Sequence, residues 1–212
     1  MIVPILTNPG LLHTMIETVD YPTARLIIVD NGQCVDKSAL PVNEHISEVH
    51  VITMPANLGV AGSWNLGFKA APFVDYWLVA NFDVRWPDGA LERFDSQASA
   101  TSIGLTGISP AWCAFTIGAK VVERVGLFDE FFHPAYFEDD DYFRRCQHHG
   151  VEVTNTSINV HHTNSSTVHS GYGDRNNVTF YENQRYLQRK VEAGDFTEGR
   201  WSLDRRRDQS WD

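Results

Sequence analysis

The 212-residue chain is short of cysteine, of positive charge and of long hydrophobic runs. Its three cysteines lie far apart and form no CxxC pair, which argues against a disulfide framework and against a zinc ribbon. The formal net charge of -10 gives no reason to expect the broad basic surface of a general nucleic-acid binder. The apolar start "MIVPIL" is too short for a signal peptide, and no run is long enough to span a membrane. We therefore expect a cytoplasmic protein without a membrane span.

Continuous apolar runs alternate with helical spacing over the first 84 residues. They predict strands at 2–6, 24–32, 49–54 and 75–84, a helix at 11–19, and a glycine-rich loop that becomes a helix over 57–71. Strands that are apolar throughout are typical of a sheet covered on both faces. The alternation predicts the α/β class, with a mostly parallel central sheet flanked by helices.

The second half of the sequence is less regular. It predicts a strand at 103–109, a strand running into a short helix over 112–126, a helix over 138–150, a strand over 151–162 and an amphipathic helix over 178–194. We predict a single domain over 1–194 and a carboxyl-terminal tail over 195–212. A homo-oligomer that forms through the last helix remains an open alternative.

Polar and glycine-rich stretches follow the predicted strands, where ligands bind in open parallel sheets. Asp30 either accepts hydrogen bonds from a nucleobase or ribose, or closes a local turn. The stretch "NLGVAGSWNLG" at 57–67 is either a backbone cradle for phosphate at a helix start or a plain glycine-rich helix entry. Asp83 either binds Mg²⁺ or Mn²⁺ on phosphates, or caps a loop.

Four carboxylates stand side by side in "EDDDYF" at 138–143. Acidic residues favour the first turn of a helix by a few tenths to about 1 kcal/mol each, but one or two satisfy that preference. The run follows an apolar and aromatic stretch at 125–137, and carboxylates near such a surface have raised pKa values, as a catalytic base requires. Both interpretations stand at this point. Asp141 and Arg145 are four residues apart and are expected to pair.

Two adjacent histidines, His161 and His162, end the predicted strand at 151–162. Side chains alternate along a strand, so only one of the two can face a given cleft. Together with Asp83, that histidine is a candidate metal ligand, because imidazole tolerates Mn²⁺.

Six stretches occur in the order that is familiar from one enzyme family. They are "LIIVDNGQ" (26–33), "NLGVAGSWNLG" (57–67), "NFDVRWPDGAL" (81–91), the stretch from "VERVGLFDE" to "HHG" (122–150), "VHHTNSST" (160–167) and "FYENQRYLQRK" (180–190). In this order they resemble the family 2-type glycosyltransferases with the GT-A fold, particularly the rhamnosyltransferase-like branch. The resemblance implies a Rossmann-like GT-A sheet and the inverting transfer of a sugar, hexosyl or deoxyhexosyl, to an acceptor hydroxyl.

The resemblance also implies a donor site and a metal. The donor would be a nucleotide-diphosphate sugar of the UDP, dTDP or GDP type, and the cofactor a divalent metal, Mn²⁺ or Mg²⁺. The implied donor-binding residues are Pro4, Asp30, Asn57, Gly59, Asn65 and Asp83. The implied metal ligands are Asp83 and His161, because Ser166 then falls at the expected distance; His162 is the fallback.

Asp139 would be the general base of such an enzyme, and Glu138 and Asp141 would orient it or the acceptor, with Arg145 holding Asp141. Asp140 departs from the family, which has an apolar residue there, and is expected on the outer helix face. A second departure is Asp-Val-Arg at 83–85 in place of Asp-x-Asp, which leaves one protein carboxylate for the metal.

Two other functions remain open. A catalytically silent nucleotide-sugar binding domain would not need a base, and a related nucleotidyltransferase would need a basic glycine-rich loop that "TNPGLLHT" lacks. The acceptor is undetermined: a glycan, a lipid-linked sugar, a protein, a small molecule or a modified nucleic-acid base. Loops within 100–135 and 163–177 are expected to shape its site.

Overall fold

The structure is a computed structural model that describes residues 1–163, 173–196 and 203. Its strands are β1 (Ile2–Ile5), β2 (Leu26–Asp30), β3 (Val49–Thr53), β4 (Tyr76–Ala80), β5 (Val84–Arg85), β6 (Ser102–Leu105), β7 (Ala114–Gly118), β8 (Glu152–Asn155) and β9 (His161–His162). Its helices are α1 (Pro9–Glu17), α2 (Gly59–Ala70), α3 (Ala90–Gln97), α4 (Ala119–Val125), α5 (Glu138–His148) and α6 (Gly173–Ala193). Short 3-10 helices lie at Lys37–Ala39 and Ala111–Cys113.

Seven of these strands form one central sheet in the order β3-β2-β1-β4-β7-β6-β8. β7 is antiparallel to both of its neighbours, and the other neighbouring pairs are parallel. The predicted α/β class with a mostly parallel sheet between helices is therefore confirmed. The two short strands β5 and β9 pair with each other in a second, antiparallel sheet.

Successive residues of the central strands feed two separate cores, as the alternation of side chains along a strand requires. Ile27 and Val29 belong to the core beneath α2, together with Trp64 and Phe68 of that helix. Residues of the opposite parity pack with α1 and α3 on the other face. Gly67 allows α2 to approach β1 closely, because a Cβ there would lie 2.4 Å from Ile2 Cγ2.

The order of the strands creates a crevice between β1 and β4. The chain builds β2 and β3 on one side of β1 and then places β4 on the other side, which makes this a topological switch point of the kind where open α/β sheets bind ligands. The β1–β4 ladder pairs Ile2 with Val79, and Pro4, further along β1, has no N–H to extend it. The half-buried Pro4 therefore lies at the mouth of this crevice.

The single strand predicted over 151–162 is wrong. β8 leaves the central sheet after Asn155, and the chain turns at Ser157, whose φ of 59° is left-handed, before β9 begins. Gly107 N donates to Ile158 O across this turn, which gives the backbone partners outside a regular strand. The predicted strand over 75–84 is likewise divided, into β4 and β5.

Several element boundaries differ in smaller ways from the expectations. α5 ends at His148, with Gly150 at φ 63° two residues later, and α6 begins at Gly173, five residues before the predicted start. α3 was not predicted. Within the described residues no helix is both long and apolar enough to cross a membrane. Most of the predicted tail, 197–202 and 204–212, lies outside the described residues, as do 164–172 of the predicted acceptor loop.

Candidate active site

Asp83 and His162 meet at the carboxyl edge of the central sheet. Asp83 follows β4 and precedes β5, and β5 pairs with β9 so that Val84 lies opposite His162. This pairing brings His162 Nε2 to 3.1 Å from Asp83 Oδ1 and to 3.3 Å from Asn81 Nδ2. The side chains of both Asp83 and His162 are at most 5% exposed.

His161 faces the other way. It lies opposite Arg85 in the ladder, and both residues are exposed. Because neighbours on a strand point to opposite sides, only His162 can share a site with Asp83. The geometry thus favours the fallback His162 over His161 as the partner of Asp83, and its role as a metal ligand stays a prediction. Ser166, on which that preference depended, lies outside the described residues.

The Asp83–His162 pair fits a divalent cation. Two ligands held at about 2.1 Å in right-angle octahedral positions lie about 3 Å apart, which agrees with the separation of the two atoms. His162 Nδ1, on the other side of the ring from Nε2, is buried without a hydrogen-bond partner among the described residues, which indicates a separate water or polar group there and not the ion at Nε2. Among the described residues no group of three His, Cys, Asp or Glu side chains converges, so these residues would supply two of the metal's ligands.

Asp30 has both carboxylate oxygens committed to the loop that follows β2. Oδ1 accepts from Gly32 N at 3.2 Å and from Cys34 N at 3.0 Å, and Oδ2 accepts from Val35 N at 3.0 Å. The residue is fully buried. These bonds give Asp30 a role in shaping the loop, and its contact with a donor stays a prediction.

The start of α2 is covered by the loop that precedes α5. Asn57 Oδ1 accepts from Gly59 N at 2.8 Å, and Val60 N donates to Pro134 O at 2.8 Å. Gly59 has φ 74°, and a Cβ there would lie 2.8 Å from Pro134 O, so only glycine fits this approach. Because two of the first N–H groups of the helix already have partners, they are not available to phosphate in this arrangement.

Asn65 fastens α2 to the segment that follows α4. Its Oδ1 accepts from Phe128 N, and its Nδ2 donates to Phe128 O and to Glu130 Oε1, each at 2.9 Å. The side chain is fully buried, so it acts here as a clamp between two elements. A role for Asn65 in donor binding stays a prediction.

Asn31 is a second clamp, which the sequence analysis did not single out. Its Nδ2 donates to Ser63 Oγ at 2.8 Å and its Oδ1 accepts from Leu58 N at 2.9 Å, so it joins the end of β2 to the start of α2. The sequence signal for Asn31 was its place in the Asp-Asn-Gly turn, but the functional role of that turn was attributed to Asp30 alone.

The acidic run forms the first turn of α5. Glu138 is 6% exposed and Asp141 fully buried, while Asp139 is half-buried and Asp140 is exposed, which confirms the expectation for Asp140. Glu138 Oε2 is buried without a hydrogen-bond partner among the described residues. Two of the four carboxylates therefore point inward, which a preference for the positive end of a helix does not require.

Burial sets the protonation of this turn. It raises the pKa of Glu138 well above its ordinary value, with a further rise from the Asp139 charge. Burial also raises the pKa of Asp139, and the neighbouring Asp140 adds to that rise. A partly accessible carboxyl with a raised pKa has the properties of a general base.

The acidic run lies at the same sheet edge as Asp83. α5 packs against β8, which follows it and runs parallel to β6, so α5 begins at the edge where these strands end. The bond from Val60 N to Pro134 O ties the preceding loop to that edge as well.

Asp141 contacts two cations. Its Oδ2 lies 3.6 Å from Arg145 Nη1, which confirms the predicted pair, and its Oδ1 lies 2.5 Å from Lys190 Nζ of α6. Lys190 also contacts Asp129 Oδ2 at 2.9 Å. Neither Lys190 nor Asp129 was predicted from the sequence to lie beside the acidic run, although Lys190 closes the quoted stretch "FYENQRYLQRK".

Comparisons with known proteins agree with this fold. A sequence model described as glycosyl transferase family 2 matches residues 4–102. A mannosyltransferase from Pyrobaculum calidifontis, solved with GDP-Man and Mn²⁺, is 14% identical with a TM-score of 0.59 over 79% of this chain and 57% of its own. Residues 1–349 of TarS from S. aureus, solved with UDP, are 14% identical with a TM-score of 0.54 over 75% of this chain and 58% of that one.

The chain therefore spans less than two thirds of these two structures. No curated protein matches it. The solved structures confirm the GT-A fold, and residues 4–102 are similar in sequence to glycosyl transferase family 2. The rhamnosyltransferase-like branch stays a prediction.

Proposed function

We propose that the chain is a metal-assisted, inverting glycosyltransferase that moves a hexosyl or deoxyhexosyl group from a nucleotide-diphosphate sugar to an acceptor hydroxyl. The observation that supports this best is the convergence of two features at one sheet edge. The first is the buried Asp83–His162 pair beside the β1–β4 crevice, and the second is the buried carboxylate turn that begins α5.

Asp83 and His162 would hold Mn²⁺ or Mg²⁺, which, when bound, offsets the negative charge that develops on the departing diphosphate. The nucleotide itself would lie in the crevice beside Pro4. Known relatives support a donor of this chemistry, because the solved neighbours were bound to GDP-Man, UDP and UDP-GlcNAc. The choice among uridine, thymidine and guanosine nucleotides is left to experiment.

Asp139 acts as the general base. Its carboxylate takes the proton of the acceptor hydroxyl while the hydroxyl oxygen attacks the anomeric carbon opposite the leaving diphosphate. The C–O bond to the diphosphate breaks as the new glycosidic bond forms, so the configuration inverts. Glu138, buried behind Asp139, favours a neutral carboxyl, because burial raises its pKa. A neutral Glu138 spares Asp139 a second adjacent charge.

Thermal unfolding with nucleoside diphosphates tests this function. A ligand at about 100 times its Kd adds roughly 2.7 kcal/mol of apparent stability. For a domain of this size that raises Tm by about 5–11 °C. We expect one nucleotide to stabilise the wild type only with Mn²⁺ or Mg²⁺, and Asp83→Asn to abolish the effect. Absence of stabilisation by every uridine, thymidine and guanosine diphosphate would contradict the proposal.

Turnover separates the alternatives from the proposed enzyme. A silent nucleotide-sugar binding domain would show the same stabilisation but would release no nucleoside diphosphate from the donor sugar. A nucleotidyltransferase would release pyrophosphate from a nucleoside triphosphate instead. Release of nucleoside diphosphate, accelerated by an acceptor, is the result expected here.

A further inference from the structure

The segment over residues 129–141, which includes the acidic run, has an unusual backbone conformation just before α5. Tyr136 has φ 76° and Phe137 has φ 73°, so two bulky residues in succession are left-handed immediately before α5. Bulky residues adopt this conformation only where their surroundings hold them in it. The contacts that hold this segment therefore determine how the acidic run is placed in the site.

Helix α6 supplies three polar ties to this segment, and the ring of its Phe180 also packs against Tyr136 and Phe137. Asn183 Nδ2 donates to Ala135 O at 2.9 Å, and Tyr186 OH donates to Asp129 Oδ2 at 2.9 Å. Lys190 is the third tie, and it contacts both ends of the segment: Asp129 Oδ2 at 2.9 Å and Asp141 Oδ1 at 2.5 Å. Of these three polar ties, that of Lys190 reaches Asp141 in the acidic turn itself.

The charges around Lys190 balance within a buried site. Lys190, Asp129, Asp141 and Arg145 are each at most 8% exposed. Two carboxylates therefore face two cations, and the rings of Phe132 and Tyr186 lie 5.8 and 5.6 Å from the ammonium. In such surroundings a missing ammonium cannot be replaced by water at small cost.

Arg145 completes the arrangement from within α5. Its Nη1 donates to Leu127 O at 2.8 Å, and its Nη2 donates to Val125 O. Arg145 thus fixes α5 to the end of α4, while Lys190 fixes the first turn of α5 to α6. The two cations hold Asp141 from opposite elements.

We propose that Lys190 is a positioning residue, whose ammonium joins Asp129 to Asp141 and thereby fixes the helical turn that presents Asp139. The inference rests on the proposed function in so far as Asp139 is the base. Among the described residues Lys190 contacts neither the Asp83–His162 pair nor Asp139, so it acts through Asp141.

The test compares Lys190→Met with Lys190→Arg and with a matched control, Arg189→Met, on the exposed face of the same helix. Amide hydrogen exchange gives the readout that does not need activity. In Lys190→Met we expect exchange to accelerate roughly tenfold or more at Phe131 and Asp141, whose N–H groups bond to Asp129 Oδ1 and Phe137 O. Exchange in β1 and β2 should stay as in the control.

Kinetics gives the second readout. A misplaced base should lower kcat on the order of 100-fold, while KM for the donor changes by less than about twofold, because the donor side of the site is untouched. Lys190→Arg keeps the charge and should restore a substantial part of kcat. Arg189→Met should match the wild type in both readouts.

Three results would overturn the inference. Exchange over residues 129–141 in Lys190→Met could equal that of the control, exchange could instead rise evenly across the sheet, or KM and kcat could fall together without rescue by arginine.

Should Lys190→Met not fold, Tyr186→Phe removes one tie without burying an unpaired charge and should show the same local exchange change, smaller in size. Failure of the proposed function would appear separately, as a wild type that turns over no donor while the exchange result stands.

Discussion

Replacing Asn65 by alanine tests whether this side chain is a structural clamp or a ligand for the donor. Asn65 is fully buried and exchanges hydrogen bonds with both backbone groups of Phe128, at 2.9 Å each. Alanine leaves the buried N–H and C=O of Phe128 without these partners. The protein should lose stability, and nucleotide affinity should be unaffected at temperatures where the variant is folded.

The size of the loss follows from the two orphaned groups. Each buried unsatisfied group costs about 1–3 kcal/mol, so the variant should lose about 2–6 kcal/mol of unfolding free energy. For a domain of this size, 1 kcal/mol lowers Tm by about 2–4 °C, which gives a fall centred near 12 °C. Asn57→Ala is the matched control, because it removes one partly exposed bond to Gly59 N and should cost only about 1 kcal/mol.

Thermal unfolding and nucleotide titration on the two variants decide the matter. A Tm of Asn65→Ala within about 3 °C of the wild type would refute the clamp, since its orphaned groups would then cost no more than about 1 kcal/mol. A preserved Tm together with lost nucleotide affinity would instead show that Asn65 binds the donor, as the family resemblance implies.

Three further predictions concern the metal pair and the acidic turn. His162→Ala should weaken Mn²⁺-dependent nucleotide binding by about 10–100-fold in calorimetric titration, whereas the exposed His161→Ala should change it by less than about twofold. The transfer rate should fall at low pH with a pKa above the ordinary aspartate value of 3.8, and Asp140→Asn, which removes a charge that raises the pKa of Asp139, should move this fall to lower pH. Glu138→Gln should stabilise the protein in mildly basic buffer, as measured by urea unfolding, and because it keeps this position neutral it should largely preserve transfer.

The sign of the Glu138 prediction follows from proton linkage. Burial raises the pKa of Glu138 above the ordinary 4.5, so the folded state binds this proton more tightly than the unfolded state. The stabilisation is complete below the unfolded pKa and is lost as pH rises through the folded pKa. Glutamine carries no such proton, so the wild type and the variant should diverge with rising pH. Parallel stability curves would contradict the assignment.

The outcomes that would contradict the other two predictions are equally distinct. Equal effects of His161→Ala and His162→Ala would remove the reason for choosing between them. If the fall of the transfer rate at low pH does not shift in Asp140→Asn, another group limits the rate there. That result would contradict the assignment of Asp139 as the base.

Local signals were sufficient for the elements that carry the site. β2 is apolar up to its last residue, Asp30, and is buried on both faces, and α5 has acidic residues in its first turn and Gly150 after its end. Patterns of this kind depend on residues close together in the sequence, so reading them needs no knowledge of tertiary contacts.

Register between distant strands could not be read from the sequence. The choice between His161 and His162 depends on which of them lies opposite Val84 in the β5–β9 pair. A shift of this pairing by one residue would turn the other histidine toward Asp83. The same holds for β8 and β9, which the alternation over 151–162 joined into one strand, because the turn at Ser157 carries no glycine or proline signal.

Buried polar contacts between helices also could not be predicted from the sequence. Asn65 matches the family's pattern, but only the packing of α2 against the 128–130 segment shows that its amide is used in full. Lys190 stood in a matched stretch as well, yet a lysine on an amphipathic helix is ordinarily solvated. Its position between Asp129 and Asp141 depends on how α6 docks.

The central claim is tested most directly by the release of nucleoside diphosphate from its sugar donor, in the presence of Mn²⁺ and of candidate acceptors, by the wild type and by Asp139→Asn. The proposed mechanism predicts release by the wild type and a rate about 10²–10⁴ times lower in the variant, with nucleotide-induced stabilisation unchanged in both. Equal rates in the two proteins would show that Asp139 is not the base, and the acidic turn of α5 would then need another function.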